Sequence, residues 1–182
     1  MLEESGKDNI AFELAKKAGT IKSYEAYIKK HRSGKFIATA QKKIEELRQN
    51  IRKTTKIKFK VDYVKFFNRS IGKPGPKIDR KYLQSFKQGE SNYIFTEVRL
   101  LNKFYKIDHF DTQIYIEYKN NRTQSTFKTN VKNIQQRKDL SNFIYTTGMG
   151  WKETGKWRAG KYTVSIYMDK QRIGTGYFEV VQ

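Results

Sequence analysis

Apolar positions recur at helical spacing over residues 8–51 and then every second residue from Ile57 to the end, so one change of period divides the chain. Asp8 or Asn9 is placed to cap a first helix whose apolar positions Ile10, Leu14 and Ala18 lie four apart, and Gly19 to stop it in a left-handed conformation. Thr20 is placed to cap a second, short helix striped by Ile21, Tyr24, Tyr27 and Ile28, which runs out in the polar turn His31-Arg32-Ser33-Gly34. A third helix carries Phe36, Ala40, Ile44, Leu47 and Ile51 on one face, with Lys42, Lys43, Glu45 and Glu46 turned away. The small Ala38 and Ala40 allow close helix approach.

From Lys56 the pattern predicts strands. Ile57, Phe59, Val61 and Tyr63 alternate with Lys56, Lys58, Lys60 and Asp62, giving a first strand with one buried face. Lys73-Pro74-Gly75-Pro76 holds both prolines and reads as a surface loop. A second strand falls within Tyr93 to Phe104, where Ile94, Thr96, Val98 and Leu100 share a face; Ile114, Ile116 and Tyr118 make a third. Asn120-Asn121 turns that strand into Thr123 to Thr129, and Phe143 to Thr147 precede a glycine-rich loop. Two alternating segments around Tyr162 to Tyr167 and Tyr177 to Val180, joined by a polar turn, read as a closing hairpin. Six to eight short strands over about 125 residues suit an antiparallel sandwich, and no helices alternate with them as a parallel α/β sheet requires.

The lead-in to that hairpin is distinctive: Gly148-Met149-Gly150-Trp151, then Trp157-Arg158-Ala159-Gly160-Lys161-Tyr162. The Trp-x-x-Gly-x-Tyr phrase with its hairpin resembles the last strands of bacterial immunoglobulin-like β-sandwiches. The resemblance implies that Trp157, Gly160, Tyr162, Val164, Ile166, Phe178 and Val180 build the sandwich end and that the domain binds or spaces rather than catalyses. The cysteine pair of antibody domains is missing. Farther upstream, Leu14-Ala15, Thr20, Tyr24, Tyr27-Ile28, Gly34, Phe36, Ala40, Ile44 and Leu47 resemble the helical segments of bacterial tetratricopeptide-like proteins, with His31-Arg32 where a proline turn is usual. That similarity covers about one and a half repeats, too few to bury their own faces. The fold class expected is therefore α+β: a tetratricopeptide-like helical segment over 8–52, followed by an immunoglobulin-like β-sandwich over 56–182.

The chemistry the chain carries is sparse. No cysteine is present, which removes disulfides and thiolate sites. His31 lies in a basic turn, and His109 in Asp108-His109-Phe110-Asp111 reads as a polar turn between strands rather than as three or four convergent metal ligands. No nucleophile elbow and no phosphate-cradling loop appears; Gly72 and Gly75 sit beside prolines with no helix to follow. The expectation is no catalytic residue, no metal and no cofactor. No apolar run reaches membrane-helix length, and Met1 to Asp8 is polar rather than a signal peptide. The compartment expected is periplasm or cell envelope if a signal was removed, and cytoplasm otherwise; the oligomeric state stays open.

Charge changes this picture most. Lys and Arg number 38 against 18 Asp and Glu, a net +20, shared between residues 1–60 (16 basic, 7 acidic) and the remainder (22 basic, 11 acidic). No basic tail accounts for it, so the charge is distributed over the fold. The reading is a non-enzymatic interaction module, an accessory domain of a bacterial envelope or multidomain protein, recognising a protein or an anionic polymer. Trp151, with Trp157 and Tyr162, is the candidate contact site, set against plain packing of the sandwich end. The alternative is nucleic-acid binding, for which Lys29, Lys30, Arg32, Lys35, Lys42 and Lys43 would supply the polyanion contacts.

Overall fold

The computed structural model describes residues 2–54 and 57–182, which divide into a helical unit within 1–56 and a β unit, 57–182. Met1 and Lys56, read above as the chain start and an outer-face strand position, lie outside the described residues.

The helical unit consists of α1 (Leu2–Ala18), α2 (Ile21–Lys30) and α3 (Ile37–Thr54). Gly19 stops α1 at φ 60°. Thr20 caps α2 in a capping box: its Oγ1 accepts from Ser23 N–H at 3.1 Å, and Ser23 Oγ accepts from Thr20 N–H at 3.2 Å. The stripes of α2 and α3 face inward as their spacing predicts, Tyr24, Tyr27, Ala40 and Ile44 being buried. The α1 reading fails in two ways. The helix runs straight through Asp8, which is no cap, and Ile10 and Leu14 point to solvent at 65% and 64% exposure. Phe12 and Ala15 form the buried face instead, Phe12 stacking on Phe36 at 4.5 Å.

Asp8 is buried in mid-helix and holds the α2–α3 turn. Its Oδ1 accepts from Tyr27 Oη at 2.7 Å and its Oδ2 from Lys35 N–H at 2.9 Å, while His31 Nδ1 lies 3.4 Å away. The N–H of Lys35, in the turn just ahead of α3, is thus satisfied by a carboxylate from α1. Gly34 permits this approach, since a Cβ there would stand 2.6 Å from both Asp8 Oδ1 and Tyr27 Oη.

The β unit consists of β1 (Phe59–Arg69), β2 (Ser85–Lys87), β3 (Tyr93–Asn102), β4 (Phe110–Asn120), β5 (Thr126–Lys128), β6 (Lys132–Gln136), β7 (Asn142–Gly150), β8 (Gly160–Met168) and β9 (Gln171–Val181). One sheet has the order β1-β3-β7; the other runs β2-β9-β8-β4-β5, with β6 also on β4. Every pairing is antiparallel except β2 with β9. The chain thus leaves the first sheet after β1 and joins the second at β2, and β3-β7 faces β9-β8-β4 as B-E faces G-F-C in an immunoglobulin-like sandwich. The α+β class with an immunoglobulin-like sandwich stands on this pairing.

The sandwich end repeats that pattern in its side chains. Tyr162, third residue of β8, donates its hydroxyl to Arg158 O at 2.9 Å, the back-bond of a tyrosine corner, and Val164 stands two residues on, where antibody domains carry a cysteine. Trp157 donates Nε1–H to Asn92 O at 3.0 Å, and Tyr118 Oη lies 2.8 Å from Thr96 Oγ1, so each large buried ring has a partner for its polar tip. The hairpin loop is Asp169-Lys170, both at positive φ (48° and 66°), as a two-residue type I′ loop requires.

The first strand departs from simple alternation. A bulge between Val61 and Tyr63 shifts the register, so Phe59, Val61, Val64 and Phe66 join the core and Tyr63 passes to the outer face. There it meets Glu97 of β3, which is fully buried. Glu97 accepts from Tyr63 Oη and Tyr82 Oη at 2.8 Å each and from the Arg80 guanidinium, with Lys77 Nζ at 3.9 Å. Arg80 also donates to Gly75 O at 3.0 Å and lies over the Phe67 ring. The proline-containing loop is therefore strapped to the sheet by one carboxylate.

Burial by itself raises the Glu97 pKa, but the hydroxyls of Tyr82 and Tyr63 and the Arg80 guanidinium outweigh it and hold the carboxyl below its ordinary value. The same burial, with the carboxylate beside it, pushes Tyr63 from 10.0 to about 12. Glu97 therefore stabilises the fold above the ordinary carboxylate range, and that contribution falls away as pH drops through the folded value. Tyr63 contributes in full below pH 10, and its contribution is lost as pH rises toward 12. Urea midpoints followed from pH 7 to 12 should decline on the alkaline side, and Tyr63→Phe should flatten that decline relative to the parent. In the helical unit, Asp8→Ala should cost about 2–3 kcal/mol and speed exchange of the Lys35 amide, read by hydrogen exchange.

Candidate functional site

The basic residues singled out in the sequence separate into two groups. Lys30, Arg32 and Lys35 come together around the α2–α3 turn and, with Lys7 of α1, line an open concavity of about 460 Å³ over Asp8 and His31. Lys7 carried no sequence signal of its own; it joins because Asp8, the next residue, is pinned beneath the turn. Lys29, Lys42 and Lys43 are exposed but do not line the concavity, and Lys43 is engaged by Glu46 at 2.7 Å.

The local electrostatics are one-sided. Both Asp8 oxygens are occupied from inside the fold. Four further carboxylates of the unit are taken as well: Glu13 by Lys16, Glu25 by Arg48, Glu45 by Arg52 and Glu46 by Lys43. Lys7, Lys30, Arg32 and Lys35 form no ion pair among the described residues, although Lys35 Nζ lies 5.5 Å from the Phe36 ring centroid. His31 stacks on Tyr27 at 5.2 Å, and its Nε2 is buried without a hydrogen-bond partner among the described residues. Such a site can hold an anion of several charges by Coulombic attraction and cation donors.

The aromatic candidates are placed differently. Trp157 and Tyr162 are core residues, inaccessible to a partner, and their work is packing. Trp151 is 41% exposed, yet it packs edge-on against Trp157 at 5.5 Å and Phe127 at 6.3 Å, and its backbone N–H donates to Asn92 O at 3.2 Å. One face of Trp151 therefore braces the sandwich end while the other meets water. His109 N–H donates to Asp108 Oδ1 at 3.0 Å, and the polar-turn reading holds only for these two residues: Phe110 and Asp111 already open β4, where Phe110 packs against Phe59 and Phe104. Among the described residues no group of three or more His, Asp or Glu is arranged to hold a metal ion, and no helix is long and apolar enough to cross a membrane.

No known protein family's sequence profile matches the chain, and no curated protein sequence matches it. Solved structures resemble it at low identity. An alkylpurine DNA glycosylase from Pseudomonas fluorescens, solved bound to DNA containing an abasic-site analogue, is 9% identical over 87% of this chain with a TM-score of 0.49. The chain spans 44% of that protein's length. An immunoglobulin-like protein from Pseudomonas aeruginosa is 8% identical, with 70% of this chain and 99% of that one covered and a TM-score of 0.38. A Listeria innocua beta-glucosidase is 11% identical over 68% of this chain and 16% of its own, with a TM-score of 0.40. At these scores none of these likenesses bears on what the chain does.

The two tryptophans separate in a stability measurement. Trp157→Ala should lower the unfolding free energy by about 3–5 kcal/mol. Trp151→Ala should cost about 1 kcal/mol, since only part of its ring area is buried. Chemical denaturation of both variants checks the ratio.

Proposed function

We propose that this chain is a non-enzymatic binding module that recognises an anionic polymer through the basic turn between α2 and α3. The observation that carries the reading is the convergence of Lys7, Lys30, Arg32 and Lys35 on one concavity in which Asp8, the carboxylate that lines it among the described side chains, is spent on Tyr27 and Lys35 N–H. A net charge of +20 adds a long-range attraction that draws polyanions toward it. The tetratricopeptide-like character of the helices belongs to the same proposal: Ile21 to Thr54 is a helix–turn–helix of about 34 residues, the length of one such repeat. So does the cell-envelope setting implied by the immunoglobulin-like resemblance.

One observation favours nucleic acid as the polymer. Tyr115 and Tyr167 stack at 4.8 Å and 4° on the outer face of the larger sheet, with Lys128 Nζ 5.9 Å from the Tyr115 ring centroid. Half-exposed rings beside cations are what single-strand binders use to stack bases.

The test compares heparin, a single-stranded and a duplex oligonucleotide against the full chain over about 50–300 mM salt. Reversing Lys30, Arg32 and Lys35 to Glu should weaken heparin binding at least tenfold and reduce the salt slope by about three. Reversing three cations elsewhere, Lys16, Lys17 and Lys22, should have a much smaller effect. Equal losses in both triple variants would leave only diffuse charge and refute the turn as a site.

A further inference from the structure

The sandwich has one edge that is built unlike the others. The edges of the larger sheet are short, three residues at β2 and β5 and five at β6. The edge at β1 carries Lys60, Asp62, Lys65 and Arg69, is bulged at Asp62, and is bridged by Tyr82 opposite Phe67. These are the usual devices that keep an edge from pairing: shortness, charge, irregularity and cover. β7 has none of them. It runs nine residues in unbroken register with β3, and from Ser141 to Trp151 the chain contains no charged residue and no proline, in a protein that is 31% charged.

The free side of β7 can be read from two bonds. Asn102 N–H donates to Ser141 O at 2.8 Å, and Trp151 N–H to Asn92 O at 3.2 Å. Residues 141 and 151 therefore turn their backbone groups toward β3, and so does every odd-numbered residue between them. The N–H and C=O groups of Ile144, Thr146 and Gly148 face away, with no further strand paired there among the described residues.

Beside this edge lies an open groove of about 490 Å³, with Lys128, Val131 and Lys132 on one side and Tyr145, Thr147 and Met149 on the other. It exists because β5 and β6 both pair with β4, so that no described strand of the β unit pairs with the outer side of β7. Val131 is exposed, and Lys132 has no ion-pair partner among the described residues, whereas Lys128 is held by Glu117 at 3.0 Å. The groove holds apolar surface and positive charge, and no carboxylate lines it.

We propose that β7 is a docking edge for an extended acidic segment of a partner protein, which adds antiparallel or parallel to the three-stranded sheet as a fourth strand. Main-chain bonds to Ile144, Thr146 and Gly148 supply affinity, and the side chains that alternate into the groove supply selection: apolar against Val131 and Met149, acidic toward Lys132. A second copy of this chain fits the edge poorly, because it would bring a second +20 charge and a second lysine pair to the same groove. The inference does not rest on the basic turn of the helical unit and is tested separately from it.

The probe is a ten-residue end-capped peptide of alternating Val and Glu, titrated into the full chain, with an alternating Val and Lys peptide as comparison. Binding of the acidic peptide should slow hydrogen exchange at the Ile144, Thr146 and Gly148 amides. It should persist in the Lys30, Arg32 and Lys35 to Glu variant, which separates it from attraction to the helical turn. Ile144→Pro removes one outward donor at an edge position that tolerates proline, and should weaken the peptide at least tenfold. Lys132→Glu should weaken the acidic peptide and favour the lysine one. Unchanged exchange at the three amides overturns the proposal whatever the variants do. So does equal binding of both peptides, loss of binding in the helical-turn variant alone, or a β7-paired dimer of the chain in sedimentation at micromolar concentration.

Discussion

Asp8 and Glu97 are the two described carboxylates that the fold takes out of water, and each unit is organised around one of them. A buried carboxylate is tolerable only when its lone pairs are filled, because desolvation otherwise costs several kcal/mol. Asp8 meets the requirement with a tyrosine hydroxyl and a backbone N–H, and in doing so ties α1 to α2 and to the start of α3. Glu97 meets it with two tyrosines and an arginine, and in doing so fastens the loop that carries the chain from one sheet to the other. Both sites gain from donors that are local in space and distant in sequence, so each closes a loop as well as filling an acceptor.

The surface follows from where the acids are used. In a chain with twice as many bases as acids, pairing Asp8 and Glu97 inward leaves cations outside without local neutralisation. At the α2–α3 turn this is most pronounced, since the carboxylate that holds the turn has no oxygen left for the lysines above it. The β unit distributes its charge differently. Charged residues crowd the β1 edge and are missing from β7, so the two long edges of the same sheet present opposite faces to a partner.

Much of the fold was legible because its signals are local. The Thr20 cap, the Gly19 stop, the closing hairpin and the face shared by Ile94, Thr96, Val98 and Leu100 each lie within a few residues of sequence. The first helix was misread because Ile10 and Leu14 are more hydrophobic than Asp8, yet Asp8, Phe12 and Ala15 form the inner face; a buried carboxylate is invisible to a hydropathy period. Tyr63 was misplaced because a one-residue bulge reverses every following side chain. β2 and β6 were missed because strands of three and five residues with one or two inward side chains carry too little alternation to register. Of the site, Lys30, Arg32 and Lys35 were readable as neighbours in sequence. Lys7 was not, being brought there by a contact 27 residues apart between Asp8 and Lys35.

The central claim is that the turn held by Asp8 is where this protein's excess charge becomes a site. Amide chemical shifts of the full chain, recorded while a short defined polyanion such as a heparin hexasaccharide is added at physiological salt, address it residue by residue. Saturable shifts concentrated at residues 30–36 and around Lys7 are expected. Shifts spread evenly over the basic surface, or concentrated in the β unit with the turn unmoved, would contradict it.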